Sequence, residues 1–320
     1  MPITLAEAQK NVQDALQVGV IDEFRKSSFL LDNLTFDDAV SPTGGGATLT
    51  YGYTRLITQP TAGFRAVNAE YTPQTVSKQR YTTDLKVFGG SFEVDRIIAG
   101  MGGIINEVTL QIQQKTKAAQ ALFNDTVING DSAVDANSFD GLEKALTGSS
   151  TELIPAAAID LSSSAALDTN YKAFLDILDE FLMGLDGTPS FIGGNLKLIA
   201  KLRACARRAG MYQTTKNDFG VQVESYNNIP WIDLGAKPGT NSPVVPILTD
   251  ASAGFTSLYA VRLGLDGFHG VSMAGQPPVK TWLPNFADAG AVKKGEVEMV
   301  AAVALKATKA AGVMRKIKVQ

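Results

Sequence analysis

Alternation of polar and larger residues along Ala47-Thr-Leu-Thr-Tyr-Gly-Tyr-Thr-Arg-Leu56 has a period of two, which predicts a β-strand. Tyr81 to Phe88 alternates again and is expected to be the returning strand, with Pro60 and Pro73 punctuating the stretch between. Thr48 to about Phe92 therefore reads as a ribbon whose extended, polar tip carries Arg65, Glu70, Lys78 and Arg80. The ribbon has too few large apolar residues to be buried on both faces within one chain. It is expected to project and lie on something else, which points to an assembling protein before an enzyme.

The period then changes. Ile105, Val108, Ile112, Ala119 and Leu122 recur at spacings of 3 and 4, while Asn106, Gln113, Lys117, Gln120 and Asn124 line the opposite face. This predicts one amphipathic helix from about Gly103 to Ile128, roughly 39 Å long at 1.5 Å per residue. It reads as a spine laid against a sheet. Upstream, Thr4-x-x-Glu7 is a capping box opening a helix to about Val18, and Val20 to Leu31 is expected to be a second short helix. The two read as a docking arm. Ser41-Pro-Thr-Gly-Gly-Gly46 is a hinge by composition.

Beyond Leu142 the pattern is mixed α/β. Helices are expected over Asn170 to Leu185 and, as a basic amphipathic helix, Asn195 to Ala209. Strands are expected at Ser190 to Ile192, Ile229 to Leu234, Val244 to Leu248, Ser257 to Leu263, Glu298 to Thr308 and Val313 to Val319. The fold class is α+β, and no internal repeat is visible.

Composition narrows the function. At 320 residues the chain suits one large domain or two linked ones. A net charge of -3 disfavours dedicated DNA or RNA binding, because proteins that neutralise phosphates are usually strongly basic. The single cysteine, Cys205, excludes an internal disulfide framework and fits a cytosolic folding environment. The N-terminus lacks a charged segment followed by an apolar one, so no secretory signal is expected. No stretch approaches the roughly 18 consecutive apolar residues of a membrane span.

Candidate chemistry is sparse. His269, the only histidine, sits in Gly-Phe-His-Gly without an acid partner nearby in sequence and reads as a structural residue. Cys205 falls on the apolar side of its helix, beside Leu198 and Leu202, and reads as a buried inert thiol. Gly44-Gly45-Gly46 lacks the Gly-Lys-Ser/Thr ending of a phosphate loop and leads into a strand. Counted from Asp135, the acidic run has Asp140 at the sixth calcium-loop position instead of Gly, and Leu146 at the twelfth instead of Glu. Lys197, Lys201, Arg203, Arg207 and Arg208 cluster on one helix. A solvated or subunit-contact face is the default reading, and nucleic-acid contact the lesser one, since no aromatic stacking platform accompanies them. No catalytic residue, cofactor site or metal site is expected.

The order of these parts is familiar. Asn68-Ala-Glu-Tyr-Thr-Pro73 lies in the ribbon, the long helix runs into Ile128-Asn-Gly-Asp131, and Asp140-Gly-Leu142 follows a short step later. Then come Phe191-Ile-Gly-Gly-Asn195 leading into a helix and Ile229-Pro-Trp-Ile-Asp233 after an Asn-Asn turn. In this order and spacing, over about 300 residues, the chain resembles the major capsid proteins of tailed bacteriophages, with the Hong Kong phage-type capsid fold also used by encapsulins.

The resemblance implies a thin L-shaped subunit. Residues 1–40 would be an N-terminal arm, 41–92 the extended loop, 93–135 and 285–320 a peripheral domain with its spine helix, and 136–284 an axial domain. The C-terminal strands would complete the peripheral sheet. It also implies self-assembly as hexamers and pentamers into an icosahedral head shell around double-stranded DNA touched only non-specifically, a virion location, assembly in the bacterial host cytoplasm, no membrane and no enzymatic activity. Arg65, Glu70, Lys78 and Arg80 become the candidates for contact between subunits. A portal, and where used scaffolding and decoration proteins, would be partners. Some family members crosslink their shells through a lysine just before the loop proline; here Thr72 precedes Pro73. Many carry a long N-terminal scaffolding segment, whereas this sequence starts almost at the arm, so that segment is expected to be removed or supplied separately. An encapsulin-type compartment shell is the alternative, and a mixed α/β enzyme the second rival.

Overall fold

The computed structural model of the protein describes residues 29–41, 48–101, 106–216, 222–249 and 253–320. The helix expected from Thr4 and the triglycine hinge lie outside the described residues. Of the second expected helix, the described part is the short helix Phe29–Asn33.

Two sheets and a separately paired ribbon carry the architecture. In the five-stranded sheet, Phe36–Val40, Phe268–Met273, Val292–Leu305 and Val279–Trp282 lie in that order, and Lys86–Asp95 also pairs with Val292–Leu305. The first pairing is parallel and the others antiparallel. The eight-stranded sheet runs Glu152–Leu153, Ala311–Lys318, Phe255–Val261, Phe191–Gly194, Ile229–Asp233, Gln222–Tyr226 and Gln213–Lys216, with Ile159–Asp160 also on Ala311–Lys318. The ribbon, Thr50–Leu56 with Lys78–Asp84, is a sheet of its own.

The returning strand expected over Tyr81 to Phe88 is thus two strands. One ends at Asp84 in the ribbon, and the next starts at Lys86 in the five-stranded sheet. Leu85 between them is buried and turns the chain from ribbon to body. The two C-terminal strands part company as well. Val292–Leu305 stays in the five-stranded sheet, but the 3₁₀ turn Thr308–Ala310 carries the chain across, and Ala311–Lys318 pairs in the eight-stranded sheet. Strands Phe268–Met273 and Val279–Trp282 are on the five-stranded side.

The spine is one helix, Glu107–Asn129, capped by Asn106, whose side chain accepts hydrogen bonds from the Val108 and Thr109 N–H groups at 3.0 and 3.3 Å. The expected start at Gly103 lies outside the described residues. Its buried stripe is Ala119, Phe123, Val127 and Ile128 rather than the line ending at Leu122, which is only partly buried. Spacing of 4 from Ala119 to Phe123 to Val127 aims these residues at the sheet. There Phe123 meets the rings of Phe36, Phe88 and Phe139 at centroid distances of 6.1, 6.0 and 5.9 Å. Asn124, expected on the polar face, is buried beside that stripe. The N-terminal half of the spine covers a smaller cluster, Phe92, Val94 and Ile98, with Val108 and Ile112.

The motif pair Asn129-Gly-Asp131 and Asp140-Gly141 closes the spine. The Gly141 N–H donates to the Gly130 carbonyl at 2.8 Å. A Cβ at Gly130 would sit 2.2 Å from the Phe139 carbonyl oxygen, and one at Gly141 2.5 Å from the Thr126 carbonyl oxygen, so only glycine fits both places. Lys144 then bridges Asp131 at 2.6 Å and Asp140 at 3.0 Å. The acidic run that could suggest a calcium loop is used to lock this turn.

Helix Ser164–Met183 begins six residues before the expected start because Ser163 caps it, accepting from the Ala166 N–H at 3.1 Å. Helix Leu196–Arg208 packs against it, and between these helices and the eight-stranded sheet lies the second core, around Phe174, Leu178, Phe181, Leu198, Leu202 and Trp231. Asn227 and Asn228 both take positive φ, 48° and 63°, as a two-residue hairpin turn before Ile229–Asp233 requires. Val244 to Leu248, expected as a strand, is an irregular segment in which Val244 and Val245 are buried while Pro246 and Leu248 are exposed. Pro246 has no N–H to donate to a ladder. Side chains instead hold the segment: Asn129 Nδ2 donates to the Val244 carbonyl at 2.8 Å, Asn195 Nδ2 to the Val245 carbonyl at 3.2 Å, and Thr256 Oγ1 to the Pro246 carbonyl at 3.0 Å.

Candidate assembly surface

The ribbon has two unlike faces. Tyr51, Tyr53 and Arg55 alternate onto the inner face, paired across the strands with Thr83, Tyr81 and Gln79. Gly52 and Thr54 face outward, opposite Thr82 and Arg80. The inner face is bolted to the body. Tyr51 donates its hydroxyl to Asp37 at 2.7 Å, and Tyr53 donates to the Leu305 carbonyl at 2.9 Å. Arg55 donates from Nε to the Lys306 carbonyl at 2.8 Å and from Nη2 to the Leu305 carbonyl. Its guanidinium also lies over the Tyr81 ring, 4.2 Å from the centroid. Burial raises the Tyr51 and Tyr53 hydroxyls above the ordinary tyrosine value, so both stay protonated donors.

Past this root the ribbon has no body beneath it. Every residue from Leu56 to Arg80 is exposed. The apolar ones are Leu56, Ile57, Phe64, Val67, Tyr71 and Val76, and Phe64 and Val67 lie open at 110% and 88% of full exposure. The tip is nevertheless ordered by its own bonds. The Ile57 N–H reaches the Ser77 carbonyl at 2.9 Å, the Thr61 N–H reaches Gln74 Oε1 at 2.7 Å, and Asn68 turns the chain at φ 65°.

The four candidate contact residues are all exposed but do not form one cluster. Arg65 folds back over Tyr71, 5.5 Å from the ring centroid, and donates to the Ala69 carbonyl at 3.2 Å. Glu70 is beside it in the chain, whereas Lys78 and Arg80 are on the stem, Lys78 paired with Leu56 and Arg80 lying across Gly52. The sequence reading passed over the apolar tip, Phe64, Val67 and Tyr71, and the root, Tyr53 and Arg55. The alternation of Tyr51, Tyr53 and Arg55 was the available signal for the root.

No protein-family model matches the sequence, and no curated protein matches it. Solved structures do match along the whole chain. A holo-SrpI encapsulin complex from Synechococcus elongatus PCC 7942 superposes with TM-score 0.66 at 16% identity, covering 100% of this chain and 98% of that one. The capsid of a native GTA particle gives TM-score 0.61 at 12% identity, with 96% and 95% covered. The capsid of Myoviridae phage XM1 gives 0.59 at 11%, with 98% and 99% covered. The chain has the Hong Kong phage-type capsid fold.

Within this capsid fold, the remaining candidate residues are absorbed structurally. On helix Leu196–Arg208, Lys201 donates to the Ser162 carbonyl at 2.6 Å, Arg203 pairs with Glu224 at 2.8 Å, and Arg208 pairs with Asp168. The basic face is largely spent on neighbours in the same chain. Cys205 is fully buried, and burial pushes its thiol up to about 11, so it stays protonated and inert. Among the described residues, no group of three His, Cys, Asp or Glu is placed to hold a metal ion, and no helix is long and apolar enough to cross a membrane.

Proposed function

We propose that the chain is a structural shell subunit, not an enzyme, and that copies of it self-assemble through the ribbon into a closed icosahedral container. The observation that carries this reading is the ribbon itself. It is bolted at its root, internally ordered beyond it, and bare of any body from Leu56 to Arg80. Burying Phe64 or Tyr71 on a second copy would contribute roughly 1.5–3 kcal/mol each, repeated at every subunit. In this reading the arm lies before strand Phe36–Val40 and the extended loop runs from residue 41 to Leu85, since Phe36–Val40 and Lys86–Asp95 pair in the five-stranded sheet. The five-stranded sheet with its spine is the peripheral domain, and the eight-stranded sheet with its helices, including strand Ala311–Lys318, is the axial domain. Arg65, Glu70, Lys78 and Arg80 set the polar rim of the contact.

The container is the head shell of a tailed phage, built from hexamers and pentamers in the bacterial cytoplasm around double-stranded DNA, with a portal and, where used, scaffolding and decoration proteins as partners. A second reading, an encapsulin-type compartment, is favoured by the 0.66 TM-score to the encapsulin complex. The test is negative-stain microscopy of the full chain expressed alone, beside a variant in which residues 58–76 are replaced by a two-residue turn. Closed particles are expected from the first. Folded but unassembled subunits are expected from the second. Shells from the ribbon-deleted variant would overturn the proposal. Protein cargo that purifies with the particles would favour the compartment over the phage head.

A further inference from the structure

His269 lies in strand Phe268–Met273, between strands Phe36–Val40 and Val292–Leu305, and is fully buried. Neither ring nitrogen has a hydrogen-bond partner of good geometry among the described residues. A buried imidazole in that state is costly, and the ribbon root packs directly against it. The Tyr51 ring meets it edge-on, with centroids 5.8 Å apart. Lys306 is over the same Tyr51 ring at 5.4 Å and reaches Asp37 at 3.7 Å, while Asp37 also takes the Tyr51 hydroxyl. The one histidine of the chain therefore sits beneath the bolt that fixes the ribbon to the body.

We propose that His269 is an acid-sensitive latch: while neutral it accepts the closed ribbon root above it, and on protonation it drives Tyr51 and the ribbon off the sheet. The charged and titratable groups facing it are Tyr51 from the ribbon, Asp37 from strand Phe36–Val40, Lys306 after strand Val292–Leu305, and Asp266 before its own strand. Burial favours the neutral ring, and Lys306 adds to this. Asp37, Asp266 and the backbone at Gly267 pull the other way without prevailing, so the net shift is downward. A histidine held below its ordinary value in the closed state is linked to closure with a definite sign. The closed root is fully favoured above the ordinary histidine value, and that preference is lost as pH falls towards the lower, closed-state value. Once undocked, the ribbon is a lone two-stranded hairpin, which in water is marginal by itself.

This proposal goes beyond the shell reading and does not need it, because the readout is made on the subunit. Hydrogen exchange by mass spectrometry on the full chain would compare about pH 5 with about pH 7.5, on either side of the ordinary histidine range, after correction for intrinsic rates. The amides of 50–56 and 78–84 are expected to exchange several-fold faster at the lower pH. The amides of the spine helix should keep their rates. In His269→Phe, which keeps an aromatic ring beneath Tyr51 and removes the titration, the ribbon should respond less than about twofold. Should that variant not fold, His269→Gln serves the same comparison. An unchanged ribbon in the parent, an equal response in the variant, or acceleration of the spine in step with the ribbon would each overturn the proposal.

Discussion

Arg315 shows how a single residue holds this fold together. Its guanidinium donates to Glu143 at 2.6 Å, to Glu152 and to Thr147 at 2.9 Å, tying helix Leu142–Leu146 and strand Glu152–Leu153 to strand Ala311–Lys318. Glu143 in turn accepts the Tyr259 hydroxyl, and burial, then that carboxylate, raise the phenol well above its ordinary value. At Glu152 burial pushes the carboxyl up, but the Gly148 N–H and Arg315 more than offset it and leave it below its ordinary 4.5. A depressed carboxyl supports the fold above the ordinary value, and the support is lost as pH falls through the lower folded-state value. Arg315→Ala leaves Glu152, whose side chain is 10% exposed, without its cation. The expected cost is about 1–3 kcal/mol by urea unfolding at neutral pH. Between pH 4.5 and the lower folded-state value the variant should also lose less stability than its parent. None of this was legible in the sequence, since these residues are spread from Glu143 to Arg315 and only folding brings them together.

For the elements, legibility followed pattern length. The spine was readable because its period of 3 and 4 runs for many turns, and it is one helix in the structure. Its exact buried face was not, because Leu122 and Phe123 are both apolar and only the position of the sheet decides which one packs. Ala118 tests the helix cleanly. It is exposed, so Ala118→Pro perturbs the backbone without removing a core side chain. The expected penalty is about 3 kcal/mol or more, read as a fall in melting temperature or as insoluble protein. Short strands were harder. Phe36–Val40 and Val279–Trp282 are 5 and 4 residues long, too short for alternation to stand out. Val244 to Leu248 is apolar enough for a strand, but its carbonyls are taken by Asn129, Asn195 and Thr256.

In the whole molecule the ribbon is the element whose burial cannot be completed within one chain. In a shell assembled as proposed, strength would come from repeated contacts, and the chemistry at Thr72 bears on whether any of them become covalent. An isopeptide bond needs a lysine amine, and at the position before Pro73, where the resemblance to shell proteins would place it, this chain has Thr72. Lys78 is paired with Leu56 at the far end of the stem's ladder, about 20 Å along the strand from that position if extended. Particles boiled in detergent should therefore run as one band near 33.9 kDa. A ladder of covalent multimers on the gel would show that another lysine does the work.

By itself the sequence determined the ribbon, the long helix and the glycine-asparagine turns, because each rests on local rules: a period of two, a period near 3.6, and backbone angles that few residues tolerate. It also carried the order of motifs by which the capsid fold could be named, while identities of 11–16% leave almost no residue-by-residue match to the structures that share it. Only the tertiary structure decided which sheet each C-terminal strand joins, which residues of the spine are buried, and that His269 sits under the ribbon root. Those outcomes depend on partners hundreds of residues apart, such as Tyr53 and Leu305, where packing geometry and hydrogen-bond satisfaction choose among alternatives that local patterning leaves equal.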